Sequence, residues 1–325
     1  MGKTLKNIRA KLKLDMALVK ELYKYFRIIR RHNGSGDTMS SPGKLKALIM
    51  RESHVLEKGM SMPNPHFPFG KDRAMGLIAI IKAYLEIPGH DTDIASHAVD
   101  ILFKYISLHS SNGVALDEIG RQASMLANKV SATGDDACGT IDVNRNTIRE
   151  EAKKDFEHLM KSRHSYRSFS DEEVPYSIVE EALRISSMTP SACNRQAWRT
   201  HVYQGAEASD ILTWQEGCRG FADKIKNIIV VTADLNAFFA HEIFQAYVDG
   251  GLYAMNLINS LHFLGVGTIP LSCGFSQDKL EQLHKFGIPD NEVPIVIIGL
   301  GIIPERTSVA ASQRIPFTKT NTLHE

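Results

Sequence analysis

Thr189-Pro190-Ser191-Ala192-Cys193-Asn194-Arg195-Gln196-Ala197-Trp198 is the stretch on which the reading of this sequence turns. Pro190 and Ser191 end the apolar helical pattern of Tyr176–Met188, and Trp198 opens a strand pattern that runs to Tyr203. Asn194 and Gln196 place two side-chain amides, each both donor and acceptor, just ahead of that strand. Amides at a strand edge suit the polar rim of a heterocycle such as a pyrimidine-dione. Taken alone, the stretch reads more simply as a helix–strand loop with capping residues. Upstream, Arg163-His164-Ser165-Tyr166-Arg167 sets two guanidiniums four residues apart with an imidazole and a hydroxyl between them. The planar donor fork of Arg matches phosphate oxygens, so this turn is a small anion-recognition element or an ordinary solvated basic turn.

Outward from these two segments the pattern from Thr147 onward is mixed. It predicts a helix over Thr147–Lys161, a polar turn over Ser162–Ser170 and a helix over Tyr176–Met188. Strands follow at Trp198–Tyr203 and Ile228–Thr232, then a long helix at His241–Leu264. That helix is apolar on nearly all sides, which predicts burial between layers or subunits. Gly250-Gly251 in its middle costs about 1 kcal/mol per glycine relative to Ala, a cost that implies a backbone packed closely there. A strand at Thr268–Leu271, a helix at Gln277–Phe286 and a strand at Val293–Leu300 complete the core.

The two motifs in this order resemble the nitroreductase family of FMN-dependent oxidoreductases. The matching residues are Arg163, Ser165, Arg167 and Phe169, then Val174-Pro175, then Pro190, Ser191, Asn194, Gln196 and Trp198. Ala254–Gly267 is similar to the family's central helix with its Gly-x-Gly turn. Leu271–Phe275 stands where the family's loop lies over the flavin ring, and Ser312–Pro316 looks like its C-terminal basic contact. The resemblance spans about residues 155–317. It implies an α+β fold, an antiparallel sheet flanked by helices around the long central helix. It also implies that Arg163, Arg167 and Arg314 hold the FMN phosphate and ribityl end, with His164 and Ser165 donating nearby. Pro190, Ser191, Asn194 and Gln196 would meet the isoalloxazine, usually from the other subunit of a homodimer. Ser272, Cys273 and Gly274 would present backbone groups to its opposite edge.

On this reading FMN does the chemistry, taking electrons from NAD(P)H and passing them to a small organic acceptor in ping-pong order, with no catalytic side chain and no metal. Other readings are a relative performing dehalogenation or flavin fragmentation, and a flavin-binding adaptor. No GxGxxG fingerprint is present; Gly299-Leu300-Gly301 is only part of one, so nicotinamide would bind over the flavin. The family's Pro after Gln is Ala197 here, its frequent acidic loop residue is Cys273, and Ser312 or Gln313 replaces a second basic residue. Arg219 and Lys224 fall in the region of a basic group expected near the flavin pyrimidine.

The remaining sequence, residues 1–140, reads as a helical N-terminal domain ahead of the flavin-binding domain at 141–325. The chain has 325 residues and a net charge of +1, with 43% hydrophobic and 23% charged residues, a globular composition. The small total hides +9 over residues 1–50 against −3 over 51–150 and −5 over 151–325. The surplus lies in an amphipathic helix over residues 3–31, where Leu5, Leu12, Val19 and Phe26 repeat every seven residues and Asp15 interrupts the stripe. Three roles are open to it: a packed helix with solvated charges, a peripheral contact with an anionic membrane surface, or a partner-binding helix. A nucleic-acid partner is not expected, because no aromatic-interleaved basic platform accompanies it.

A linker is expected over Asn33–Gly43, helices over Ser53–Met62, Ala74–Leu85, Ile94–Leu108 and Leu116–Val130, and a second linker over Thr133–Thr140. His54, Glu57 and Lys58 share a helical face, readable with His66 as a metal site but more simply as an intrahelical His54–Glu57 contact. The loop with Phe67, Phe69, Lys71 and Arg73 is a candidate lid over the flavin. Cys138, Cys193, Cys218 and Cys273 form no Cys-x-x-Cys pair, which fits a reducing compartment. The longest apolar run, Val293–Ile303, is too short to span a membrane. The expected location is cytoplasmic, with peripheral attachment at the inner membrane surface open through the basic helix.

Overall fold

A computed structural model of the chain describes residues 2–32, 42–130, 138–239 and 242–324. Five helices come first: α1 (Gly2–His32), α2 (Pro42–Met60), α3 (Lys71–Leu85), α4 (Thr92–Ser111) and α5 (Asp117–Ala127). The rest is β1 (Thr140–Asn144), α6 (Arg145–Glu151), α7 (Phe156–Ser162), α8 (Tyr176–Ser186), β2 (Trp198–Gln204), α9 (Gly205–Gln215), β3 (Asn227–Asp234), α10 (Ile243–Phe263), β4 (Val266–Ser272), α11 (Gln277–Glu281), β5 (Glu292–Ile302) and β6 (Arg306–Ala310).

The main sheet has the order β2-β3-β5-β4, and every neighbouring pair is antiparallel. The sheet is buried on both faces, so β3 is apolar at successive positions rather than at alternate ones. Ile228 and Val230 face a core shared with Ala208, Ile211 and Leu212 of α9. Ile229 and Val231 face the opposite core, where Leu257 and Leu261 of α10 and Val179 of α8 meet them. Each fully buried Leu or Ile here contributes roughly 1.5–3 kcal/mol. The register shifts between Val231 and Thr232, where Pro294 of β5, which has no N–H to donate, enters the ladder.

The front helices build a separate core from Leu45, Ile49 and Leu56 of α2, Leu77 and Ile81 of α3, and Val99, Ile101 and Leu102 of α4. Phe67 and Phe69 pack on His109, and Phe69 lies edge-on to Tyr105, so this loop belongs to the front core. α1 is different. Leu12, Met16, Val19 and Phe26 are each more than half exposed; Tyr23 stacks on Phe26 within the helix, and Tyr25 lies edge-on to Phe244 at the start of α10.

Several expectations need correction. The single helix expected over 147–161 is two, because Asp155 accepts a hydrogen bond from His158 N (2.9 Å) and starts a new helix after a turn. Pro42 and Gly43 belong to α2 and not to a linker; most of the first expected linker and part of the second lie outside the described residues. The spacing reading does not anticipate β1, β6 or α9. β1 and β6 pair with each other, Thr140 opposite Ala310. Gly250 does not approach a backbone: a Cβ there would come within 2.5 Å of the Ile295 side chain, while one at Gly251 would meet nothing.

Candidate functional site

The Arg163–Arg167 turn is fixed by main-chain bonds to the sheet. Tyr166 N donates to Thr268 O (3.0 Å), which sets Ser165 beside β4 as an isolated parallel bridge, and Ser170 N donates to Ile302 O (2.9 Å). Glycines let the turn lie this close. A Cβ at Gly267 would meet the Tyr166 ring at 3.1 Å, and one at Gly301 would meet Phe169 at 2.7 Å. Gly301 of the incomplete Gly-x-Gly pattern is therefore a seat for an aromatic ring and not a phosphate loop.

Pinned in this way, Arg163, His164, Ser165 and Arg167 line one wall of a cavity of about 830 Å³. Ser312, Gln313 and Arg314, from the segment after β6, close one side. The opposite wall comes from the front helices: Ser53, His54 and Glu57 of α2, and the start of α4 from Thr92 to Ile101. The cavity lining carries Lys129, Arg163, Arg167, Arg314 and Lys319 against Glu57, Asp93 and Asp100. Burial and the nearby Arg314 depress the pKa of Arg163, and neither arginine is in an ion pair among the described residues. Burial together with Arg163 and Arg314 lowers the pKa of His164. Behind the turn, His262 shares a hydrogen bond with Ser162 Oγ (2.8 Å), and burial, Arg163 and His164 pull its pKa down to about 4.

Arg167 is 5% exposed and its pKa falls to about 10 through burial, against the opposing effect of Glu57. Its Nη1 reaches Ser61 Oγ at 3.5 Å, but its buried Nε has no partner. Ser53 Oγ, on the opposite wall, is also buried without a partner. An excess of positive charge, with Arg163 and Arg314 outside any ion pair among the described residues, and orphaned polar atoms on both walls suit an anionic, hydroxyl-rich ligand. A phosphate with a ribityl chain fits that donor set.

The other sequence-expected residues stand elsewhere. Pro190 and Asn194 are exposed, and Gln196 with them, in a loop where Cys193 (φ 51°), Asn194 (φ 55°) and Gln196 (φ 48°) all lie in the left-handed region. Such backbone costs about 1–3 kcal/mol per residue and persists only when neighbours enforce it. Here Ser191 Oγ accepts from Gln196 N (2.9 Å), buried Asp249 of α10 accepts from Ala192 N (3.1 Å), and Arg195 pairs with Glu242 (2.8 Å). Ser272 ends β4, and Ser272, Cys273 and Gly274 all lie outside the cavity lining. Gln215 of α9 donates to Ser272 O (3.1 Å), and burial pushes the Cys273 thiol up to about 12, so it is neutral and unreactive at neutral pH.

The structure thus brings Arg163, His164, Ser165, Arg167 and Arg314 together, and leaves the Pro190–Gln196 and Ser272–Gly274 groups outside their cavity. Arg219 pairs with Glu216 and Lys224 with Asp223, both away from it. The loop with Phe67 and Phe69 does not line this cavity, whereas α2 and α4 do. His54 and Glu57 do make the intrahelical contact, at 3.5 Å. Asp249 and Gln215 escaped the sequence reading because their partners lie far away along the chain, and Ser53 because nothing in its spacing marks a buried hydroxyl without a partner.

Residues 160–302 match the model of the Nitroreductase family. The chain carries a nitroreductase-family domain. A provisionally named NADH dehydrogenase/NAD(P)H nitroreductase of Methanothermobacter thermautotrophicus is 24% identical over 152 residues, covering 46% of this chain and 78% of that protein. Chloronitrobenzene nitroreductase of Comamonas testosteroni is 33% identical over 69 residues, 21% of this chain and 30% of that one. Among solved structures, a nitroreductase family protein from Streptococcus pneumoniae TIGR4 is 22% identical, with a TM-score of 0.45 over 52% of this chain and 100% of that one. A provisionally named nitroreductase from Exiguobacterium sibiricum, solved in complex with FMN, is 19% identical, with a TM-score of 0.46 over 53% of this chain and 98% of that one. The nitroreductase-family domain contains the arginine turn, the strained loop and the whole of the main sheet. α1 to α5 and Arg314 lie outside the matched residues.

Proposed function

We propose that the protein is an FMN-dependent oxidoreductase that takes electrons from NAD(P)H and delivers them to a small organic acceptor. The observation that carries this reading is the placing of half-buried Arg163 and exposed Arg314 on one cavity, where Arg314 lowers the pKa of Arg163 and neither is in an ion pair among the described residues. A dianionic phosphate offsets that repulsion. FMN, when bound, supplies the centre that accepts and returns the hydride.

The protein's own residues then bind and orient. Arg163, His164 and Arg314 hold the phosphate, Ser165 and Arg167 donate to the ribityl chain and its neighbouring ring edge, and the buried front helices keep water from the anion. The loop Pro190–Gln196, exposed on this chain, meets the flavin of a second copy, and Ser272–Gly274 offer backbone groups to the far edge of the ring. α10 supports the dimer: Phe244, Tyr247, Val248 and Leu252 form an exposed apolar strip on it. The test is optical. Purified protein reconstituted with FMN retains a flavin absorbance through gel filtration, and initial rates at several acceptor concentrations give the parallel double-reciprocal lines of a ping-pong scheme. A protein that retains no FMN contradicts the proposal.

A further inference from the structure

The nitroreductase-family match ends at Ile302 and begins at Met160, yet half of the wall around the arginine cluster is made by helices outside it. Ser53, Glu57 and Ser61 fall at four-residue spacing along and just past α2, which puts them on one helical face with His54 beside them. That face is turned to the cavity. Ser61 Oγ meets Arg167 Nη1 at 3.5 Å, His54 Nδ1 meets Ser312 Oγ at 3.3 Å, and Ser53 and Glu57 line the space between. Glu57, itself buried, favours the charge on Arg167 and also accepts from Gly139 N (3.3 Å). Its negative charge is thereby engaged, and Arg163 and Arg314 are in no ion pair among the described residues.

Ser53 is 4% exposed and its hydroxyl has no partner, a loss of about 1–3 kcal/mol for a buried donor unless a ligand meets it. Arg314 is tied to the same wall. Its segment is anchored to the front region by the His54–Ser312 contact, by Ala311 N to Gly139 O (3.0 Å), and by Lys319 to Asp91 (2.7 Å) and Asp93 (2.5 Å) at the start of α4. Ser312 holds a left-handed φ of 50° there, which a non-glycine residue keeps only under such constraint.

We infer that α2 is a cofactor-binding element: Ser53 and His54 complete the phosphate end of the flavin chamber beside Arg314 and across from Arg163, so the N-terminal helices are part of the cofactor site and not an appended module. This inference rests on the FMN reading above and adds the residues of the second wall. It implies that FMN binding tightens the packing of the front helices on the nitroreductase-family domain, because one ligand bridges both.

The experiment compares full-length wild type with Ser53→Ala, Ser53→Thr and His54→Gln, each checked for native circular dichroism, by titration with FMN and with riboflavin followed through flavin fluorescence. Ser53→Ala and His54→Gln are expected to weaken FMN binding by about fivefold or more each, because each removes a hydrogen bond to a charged group. Ser53→Thr, which keeps the hydroxyl, is expected to stay within about twofold of wild type. Riboflavin, which lacks the phosphate, is expected to lose nothing. Wild type that binds FMN while both variants bind it equally well would overturn this inference and leave the proposed function standing. Equal losses for FMN and riboflavin would also overturn it, since they would indicate general loosening of the cavity. Wild type that binds neither flavin would instead remove the reading on which the inference rests.

Discussion

The two halves of this molecule carry their information differently. In the half that contains the nitroreductase-family domain, chemistry and backbone constraint coincide. The arginine turn is bonded to β4 and β5, and the amide loop is strained and locked by Asp249 and Glu242. In the front half, α2 to α5 form an ordinary apolar core, and the residues that face the site sit on a helix whose sequence reads as unremarkable amphipathic surface. A site can therefore be strongly signalled on one wall and nearly silent on the other. The signalled wall needs unusual backbone, and the silent wall needs only a helix face pointed the right way.

The sharpest way to break this comparison is through the two cores. Ile297→Ala in β5 and Ile101→Ala in α4 both remove fully buried side chains, and each is expected to cost about 2–5 kcal/mol in urea unfolding. They share no cluster, so the double variant is expected to show additive losses within about 0.5 kcal/mol. A larger coupling would show that the halves are one core after all.

Next in size is an acid effect in the half that contains the nitroreductase-family domain. The pKa of His262 falls from an ordinary value near 6.5 to about 4 in the fold, and Arg163 and His164 are the charges that face it. Between those values the unfolded chain binds the proton and the folded chain does not, so stability is full above about pH 6.5 and is lost as the pH falls toward 4. The loss approaches about 3 kcal/mol at most, at 1.36 kcal/mol per pKa unit. His262→Gln is expected to flatten that part of a melting-temperature profile between pH 4 and 6.5; an unchanged slope would assign the acid sensitivity to other groups.

Arg314→Ala tests the shared wall. It is expected to weaken FMN binding by roughly 10–100-fold, the range for a lost hydrogen bond to a charged group, and to raise the stability of the flavin-free protein slightly by relieving Arg163. Isothermal titration and thermal melts without FMN read the two effects separately. The smallest expected effect is on α1. Val19 is 65% exposed, and Val19→Ser is expected to change unfolding free energy by less than about 0.5 kcal/mol. A loss beyond 1 kcal/mol in a concentration-dependent melt would show that the stripe is covered by another chain.

What the sequence discloses follows the same division. The strands β2 to β5 are legible because β-branched and apolar runs are bounded by turn residues, and α10 because its apolar length exceeds that of any strand. The arginine turn and the amide loop are legible because side-chain types carry the signal. β1 and β6 are not, since two five-residue strands paired across the chain show little local periodicity. Nor is the break at Asp155, where a helix-compatible sequence is cut by a single capping carboxylate. α9 is an intermediate case: Ala208, Ile211, Leu212 and Gln215 keep helical spacing and are all buried, but the helix is short and follows a strand without a breaker cluster. Spacing singles out His54 only for its neighbours Glu57 and Lys58; its contact with Ser312, 258 residues away, is not legible there, and neither is the place of Ser53 on the cavity wall.

The account depends most on the reading of the cationic cavity as a flavin phosphate site that serves redox chemistry. Anaerobic titration of the FMN-reconstituted full-length protein with NADH and NADPH, followed by visible absorbance, tests it most directly. The account predicts that FMN stays bound and that at least one nicotinamide bleaches its absorbance in a stoichiometric titration. A protein that releases FMN on gel filtration, or a bound flavin that neither nicotinamide reduces, would contradict it.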